Sequence, residues 1–227
     1  RPPRSTLFPY TTLFRSGPFY FIGLALAWGS SYSWIKIALR EIPTTQIIAM
    51  RVLIASLVLC SLTLVNKKTL KEIFQTKLGT WLRLFVLAAL SIVVPFLLLS
   101  WGVSQISSAL SGVLNGTVPL FTVLVAHFTL ADERITLAKL LGLIFGLTGS
   151  ILLVKSSQNT AATLAQGGTH PTLGAVAVLL ASLCYSSGAI FARKYLDKIG
   201  SLHKAVTVTV IAAVCFFVVH ILRGLIF

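Results

Sequence analysis

The sequence predicts an all-α, polytopic transmembrane helical bundle, and three observations predict it. Of 227 residues, 56 % are hydrophobic and only 11 % charged, where a soluble domain carries roughly 25 % charge; the mean hydropathy is +0.92. The charges are also segregated: stretches 16–35, 52–66, 84–131, 140–154, 156–192 and 205–222 contain none. Apolar runs such as Val52-Leu53-Ile54-Ala55-Ser56-Leu57-Val58-Leu59 lack the period-two alternation of a membrane β-barrel. A soluble helical protein would need a polar face on its helices, and these stretches supply none.

A helix rises about 1.5 Å per residue and the hydrocarbon layer is about 30 Å thick, so roughly 20 residues cross it. On that measure seven spans are expected, at 18–39, 45–66, 81–101, 109–130, 136–155, 173–193 and 204–222. The uncharged stretch 84–131 is too long for one helix and long enough for two; Gly102-Val103-Ser104-Gln105-Ile106-Ser107-Ser108 is the polar interruption that divides it. Between the fifth and sixth spans, 156–171 is a polar, small-residue linker with no capacity to span. Residues 1–16 read as a non-native, adapter-derived tail: Thr6-Leu7-Phe8 recurs as Thr12-Leu13-Phe14 around a proline and a tyrosine, and no initiator methionine precedes it.

The composition also excludes classes of function. The formal net charge is +14, yet a nucleic-acid binder needs far more charge to cover its surface, and attraction to anionic lipid headgroups accounts for the basic balance. With the first sixteen residues set aside and the N-terminus placed in the cytoplasm, eleven basic residues fall on the cytoplasmic side and five on the other, as the positive-inside rule favours. Cys60, Cys184 and Cys215 lie within spans and read as small apolar residues. The four histidines show no ligand spacing. No phosphate-binding loop, HExxH or GxSxG motif is present, so no enzyme activity, cofactor or metal is expected.

After the linker the chain is expected to start again, against the alternative of chance similarity between two small-residue-rich helices. Ala27-Trp28-Gly29-Ser30-Ser31 matches Cys184-Tyr185-Ser186-Ser187-Gly188 in character at an offset of 157, which also brings Lys36 onto Arg193. Five spans is an odd number, so a second block of the same kind enters the membrane upside down. Inverted repeats of this sort recur in secondary transporters, with the solute site between them.

Trp28-Gly29-Ser30-Ser31 followed by Lys36, Arg51 early in the second span, Pro119-Leu120 in the fourth, and Ala131-Asp132-Glu133-Arg134-Ile135-Thr136 followed by Lys139, Gly142 and Gly146 form a recognisable series. It resembles the EamA family of the drug/metabolite transporter superfamily, over 17–155 as one repeat and 172–227 as the start of a second. The resemblance implies ten spans in two inverted five-span repeats, so three spans are expected to be missing from this chain. It implies a secondary transporter, exporter or permease, moving small organic metabolites or drugs by alternating access in the bacterial inner membrane. Its partners would be the bilayer and the solute, with a homodimer open to it. The rivals are a non-transporting structural or receptor-like membrane protein, and an inactive truncated form.

Candidate residues follow from membrane physics. Pro119 has no N–H, so the carbonyl of Asn115 loses its helical partner, which predicts a bend and a polar spot in the fourth span; Pro95 does the same to Ser91. Such backbone is tolerated where it faces protein or a cavity. Trp28, Ser31, Tyr32, Asn115, Pro119 and Tyr185 are the candidate cavity residues, against the alternative that Gly29 and Ser30 mark simple close packing. Lys36, Arg51, Glu133, Arg134 and Lys139 are candidate structural or gating charges. Lys36 can snorkel. Arg51, roughly two turns inside its span, is expected to contact an anion, pair with Glu41 or snorkel. The carboxylates before the fifth span are placed to cap it.

Overall fold

The computed structural model describes residues 10–130, 136–158 and 168–226. Glu133 and Arg134 lie outside the described residues. The described chain is helical: α1 (Tyr10–Ala38), α2 (Thr44–Val65), α3 (Lys67–Phe74), α4 (Leu78–Ala88), a π turn (Ala89–Val93), α5 (Val94–Gln105), α6 (Ser108–Asn115), α7 (Val118–Thr129), α8 (Leu137–Gln158), α9 (Pro171–Leu196) and α10 (Ser201–Ile226).

Among the described residues five segments are long and apolar enough to cross a membrane: Thr45–Val65, Leu78–Gln105, Ser108–Thr129, Pro171–Leu196 and Ser201–Val218. Seven were expected. The expected first span is helical for 29 residues as α1, but the run Trp28-Gly29-Ser30-Ser31-Tyr32-Ser33-Trp34 dilutes its apolarity. In the expected fifth, the described apolar segment is Leu137–Gly146. The short α3 was not anticipated; it begins at Asn66, whose side chain accepts from the Thr69 N–H at 3.2 Å, an N-cap that satisfies one free donor of the first turn.

Both intramembrane prolines act as elementary geometry requires. Pro95 cannot donate to the carbonyl of Ser91, and the turn before it widens: the Val94 N–H reaches the carbonyl of Ala89, a π arrangement. The third span therefore runs unbroken through the π turn from Leu78 to Gln105, past its predicted end at 101. Pro119 has a larger effect. The fourth span divides into α6 and α7, with Gly116 and Thr117 between them and the proline in the first turn of α7, where its missing N–H costs nothing.

Three buried clusters hold the bundle. Ile35, Leu99, Val103, Ile106, Val178 and Ala181 join α1, α5 and α9. Leu84, Leu87, Ala88, Leu196 and Val208 join α4, α9 and α10. Ile48, Val52, Ala212 and Phe216 join α2 to α10. Their order along each helix sets direction. The start of α9 lies beside the end of α5, where the Gly168 N–H donates to the carbonyl of Gln105 at 2.9 Å. The end of α1 lies at that same level, so α1 and α9 run in opposite senses.

The α5–α9 contact depends on glycine. A β-carbon on Gly102 would stand 2.9 Å from the Gly174 carbonyl oxygen, and one on Gly174 would stand 2.5 Å from the Gln105 β-carbon. Small residues of this kind let membrane helices approach closely and gain van der Waals contact. Gly174→Val is accordingly expected to destabilise the protein by about 1–3 kcal/mol, as overpacking does. Thermal unfolding in detergent checks this against Gly23→Val, because Gly23 faces open space; equal midpoints for the two variants would contradict the packing assignment.

Candidate functional site

A cavity of about 210 Å³ opens where α1, α2, α5 and α9 converge. Helix α1 supplies Trp28, Ser31 and Tyr32 at helical spacing, α2 supplies Arg51, α5 supplies Phe96, Leu99 and Ser100, and α9 supplies Tyr185. Four of the six cavity candidates thus share one space. Asn115 stands behind it, its Oδ1 3.2 Å from the Ser182 hydroxyl. Pro119 is not in the wall; it acts one step away by opening the gap between α6 and α7.

That gap is closed by serines of α9. Ser186 Oγ donates toward the Val118 carbonyl at 2.8 Å or that of Ser182 at 2.9 Å. Ser182 Oγ has the carbonyls of Val178 at 3.0 Å and Leu114 at 3.4 Å within reach. Both serines are fully buried. Each has one proton, so these are alternative acceptors; the Leu114 and Val118 carbonyls also accept from Thr117 Oγ1 and Thr122 Oγ1. A glycine completes the fit: a β-carbon on Gly188 would lie 2.5 Å from Ser91 Oγ in the π turn.

Two charges sit differently from expectation. Arg51, grouped with structural or gating charges, is in the cavity wall, its guanidinium 5.2 Å from the centroid of the Phe96 ring. This is a cation–π contact. Among the described residues no carboxylate pairs with it, and Glu41, in the turn after α1, does not. Lys36 does not reach outward to water; its Nζ donates to the carbonyls of Val103 at 3.0 Å and Ile106 at 3.2 Å. It thus ties α1 to the carbonyl end of α5, where a cation is favoured. Lys139 is exposed near the start of α8, whose first turn is capped by Thr136 Oγ1, 3.4 Å from the Lys139 N–H.

Phe96, Leu99 and Ser100 were not anticipated. They lie in an almost uniformly apolar helix, where no periodicity marks a face. Ser100 is buried from bulk solvent, and its hydroxyl makes no hydrogen bond among the described residues. The cavity thus offers aromatic faces, two phenols, two hydroxyls and one guanidinium, with no carboxylate in its wall.

These features define a class: a polytopic helical membrane protein with a polar cavity between its helices. The comparisons with known proteins place it further. The EamA-like transporter family matches residues 15–155, and the chain belongs to that family; it is an integral membrane protein. It is 24 % identical over 183 residues to the uncharacterized transporter YoaV of Bacillus subtilis (strain 168), covering 80 % of this chain and 59 % of the relative. It is 28 % identical over 142 residues to the protein PagO of Salmonella typhimurium, covering 62 % and 45 %. An uncharacterized transporter of Buchnera aphidicola is 26 % identical over 128 residues, covering 56 % and 41 %. The chain thus spans about half the length of the curated relatives it matches. No solved structure matches it.

Removing the Ser186 hydroxyl is expected to cost about 1 kcal/mol, a typical net hydrogen bond, or roughly 2–4 °C in unfolding midpoint for a chain of this size. Ser186→Ala and Ser30→Ala, the latter at an exposed hydroxyl bonded only to the Ala27 carbonyl, should differ by that amount in thermal melts. Indistinguishable melts would mean that the Ser186 hydroxyl does not support the broken span.

Proposed function

We propose that the chain belongs to a secondary transporter for small organic solutes, working by alternating access, with the α1–α2–α5–α9 cavity as its solute site. The observation that carries this is the composition of that cavity. Its single cation has no protein carboxylate facing it among the described residues, and aromatic rings flank it. A cation within a membrane span is costly without a counter-charge, so a solute bearing a carboxylate, with an apolar or aromatic body, is the complementary ligand. Trp28, Tyr32 and Phe96 would cover the body, and Ser31, Ser100 and Tyr185 would hydrogen-bond its polar groups.

The two-block reading supports a moving part. Helices α2 and α10 begin at Thr44 and Ser201, the same offset of 157 that relates Trp28 to Tyr185. The antiparallel course of α1 and α9 fits an inverted second block of 172–227 following a first block of 17–155. Relative motion of such blocks exposes a fixed site to each side in turn. The excess of lysine and arginine at the ends of α2, α9 and the α3 segment favours a cytoplasmic N-terminus in a bacterial inner membrane.

The test is solute flux in proteoliposomes made with the gene's whole reading frame, across a panel of carboxylate-bearing metabolites and their amide or ester analogues. A charge-assisted hydrogen bond is worth about 1.5–3 kcal/mol, so Arg51→Gln is expected to cut flux of the favoured carboxylate at least tenfold while sparing the neutral analogue. Arg51→Lys should retain part of it. Wild-type flux in Arg51→Gln would remove the cavity cation from the mechanism.

A further inference from the structure

A second recess lies at the opposite end of the bundle from Lys36 and is independent of the solute cavity. It is a basin of about 750 Å³ between α3, the start of α4 and the α9–α10 turn. Lys68, Lys77 and Lys198 line it against a single carboxylate, Glu72. These three lysines are exposed, and their ammonium groups make no ion pair or hydrogen bond among the described residues. The first turn of α10 faces the same space. Its first helical bond runs from the Lys204 N–H to the Gly200 carbonyl at 3.0 Å, so the N–H groups of Ser201, Leu202 and His203 have no helical acceptor. A positive helix terminus and three unneutralised ammonium groups around one recess suit a phosphate.

The neighbouring apolar surface identifies what carries the phosphate. A groove of about 240 Å³ adjoins the basin, lined by the last turn of α2, by Leu70, Ile73 and Trp81, and by α10 from Val206 to Ile211. The two recesses share their walls. Thr69 lines the basin and Leu70 the groove, Thr80 the basin and Trp81 the groove, and on α10 one turn separates His203 in the basin from Val206 in the groove. Beside them Phe74 is 82 % exposed and Leu78 85 % exposed. Exposed apolar side chains interleaved with lysines characterise a helix lying at a membrane interface.

We propose that basin and groove form one binding site for an anionic phospholipid, its phosphate among Lys68, Lys77, Lys198 and the start of α10, and an acyl chain along the groove. Bulk attraction of basic loops to the membrane would need no such pairing of recesses. The site pins α3 to α10, and through them α2 to α9.

Trp81 is the reporter. The 227-residue chain is placed in phosphatidylcholine nanodiscs, and lipid brominated on its acyl chains is titrated in as phosphatidylglycerol or as phosphatidylcholine. The Trp81 component is the difference between the wild type and Trp81→Phe. It should quench at a mole fraction of brominated phosphatidylglycerol at least tenfold lower than of brominated phosphatidylcholine. Each lysine contributes roughly fivefold at a membrane surface, so K68Q/K77Q/K198Q should abolish the preference while melting like the wild type. K67Q/K71Q, which neutralises lysines outside the basin, should retain most of it. Equal quenching by the two lipids overturns the proposal, as does a preference that K67Q/K71Q removes as fully as the triple variant. Inorganic phosphate at matched ionic strength distinguishes the source: if millimolar phosphate releases the quenching, the basin is a site for free phosphate and the lipid assignment fails.

Discussion

A proline within a membrane-crossing helix leaves a backbone carbonyl that neither the helix nor the bilayer can satisfy, and the arrangement of this protein follows from how two such carbonyl sites are managed. At Pro95 the chain absorbs the loss locally by widening into a π turn. At Pro119 it breaks, and helix α9 lies against the break. Its Ser182 and Ser186 face the break between α6 and α7, its Gly188 lets the π turn come close, and its Gly174 lets it meet Gly102 of α5. Both irregularities are therefore seated against a single helix. A larger residue at 174 or 188 would hold α9 away.

That seating determines the cavity. The register of α9 against α5 brings Tyr185 to the same cavity as Phe96 and Ser100, and Lys36 holds the end of α1 on the carbonyl end of α5, with Trp28, Ser31 and Tyr32 lining that cavity. Asn115 belongs to the last turn before the break and lies within hydrogen-bonding distance of Ser182 on the helix that also carries Tyr185. Arg51 completes it from α2, with its charge over an aromatic face. The wall offers hydroxyls, aromatic faces and a guanidinium, and holds no carboxylate.

Much of this was legible in the sequence, for identifiable reasons. The membrane class follows from apolar runs that no soluble helix tolerates. The breaks follow from two prolines whose missing N–H has fixed consequences. Trp28, Ser31, Tyr32 and Tyr185 stood out because polar and aromatic groups are conspicuous in apolar helices, and they meet in one space. What stayed hidden was hidden physically. Phe96, Leu99 and Ser100 sit in a helix with no polar face, so only the packing of α9 reveals which side is the wall. Pro119 was read as a wall residue, whereas its effect is local to the backbone. For Arg51 the sequence leaves anion contact, pairing with Glu41 and snorkelling open; in the structure no carboxylate among the described residues pairs with it, and its guanidinium lies over the Phe96 ring. The basin beside α3 escaped notice because lysines between spans ordinarily report orientation alone.

Thiol chemistry at Ser31 asks whether the cavity between α1, α2, α5 and α9 admits water and carries a positive wall. In a chain whose native cysteines are replaced by alanine, Ser31→Cys should react with small charged methanethiosulfonates. It should react several-fold faster with the anionic reagent than with the cationic one, relative to an exposed reference cysteine, and Arg51→Gln should erase that difference. A Ser31→Cys thiol that reacts with neither reagent, or with both equally whether or not Arg51 is present, would contradict the account.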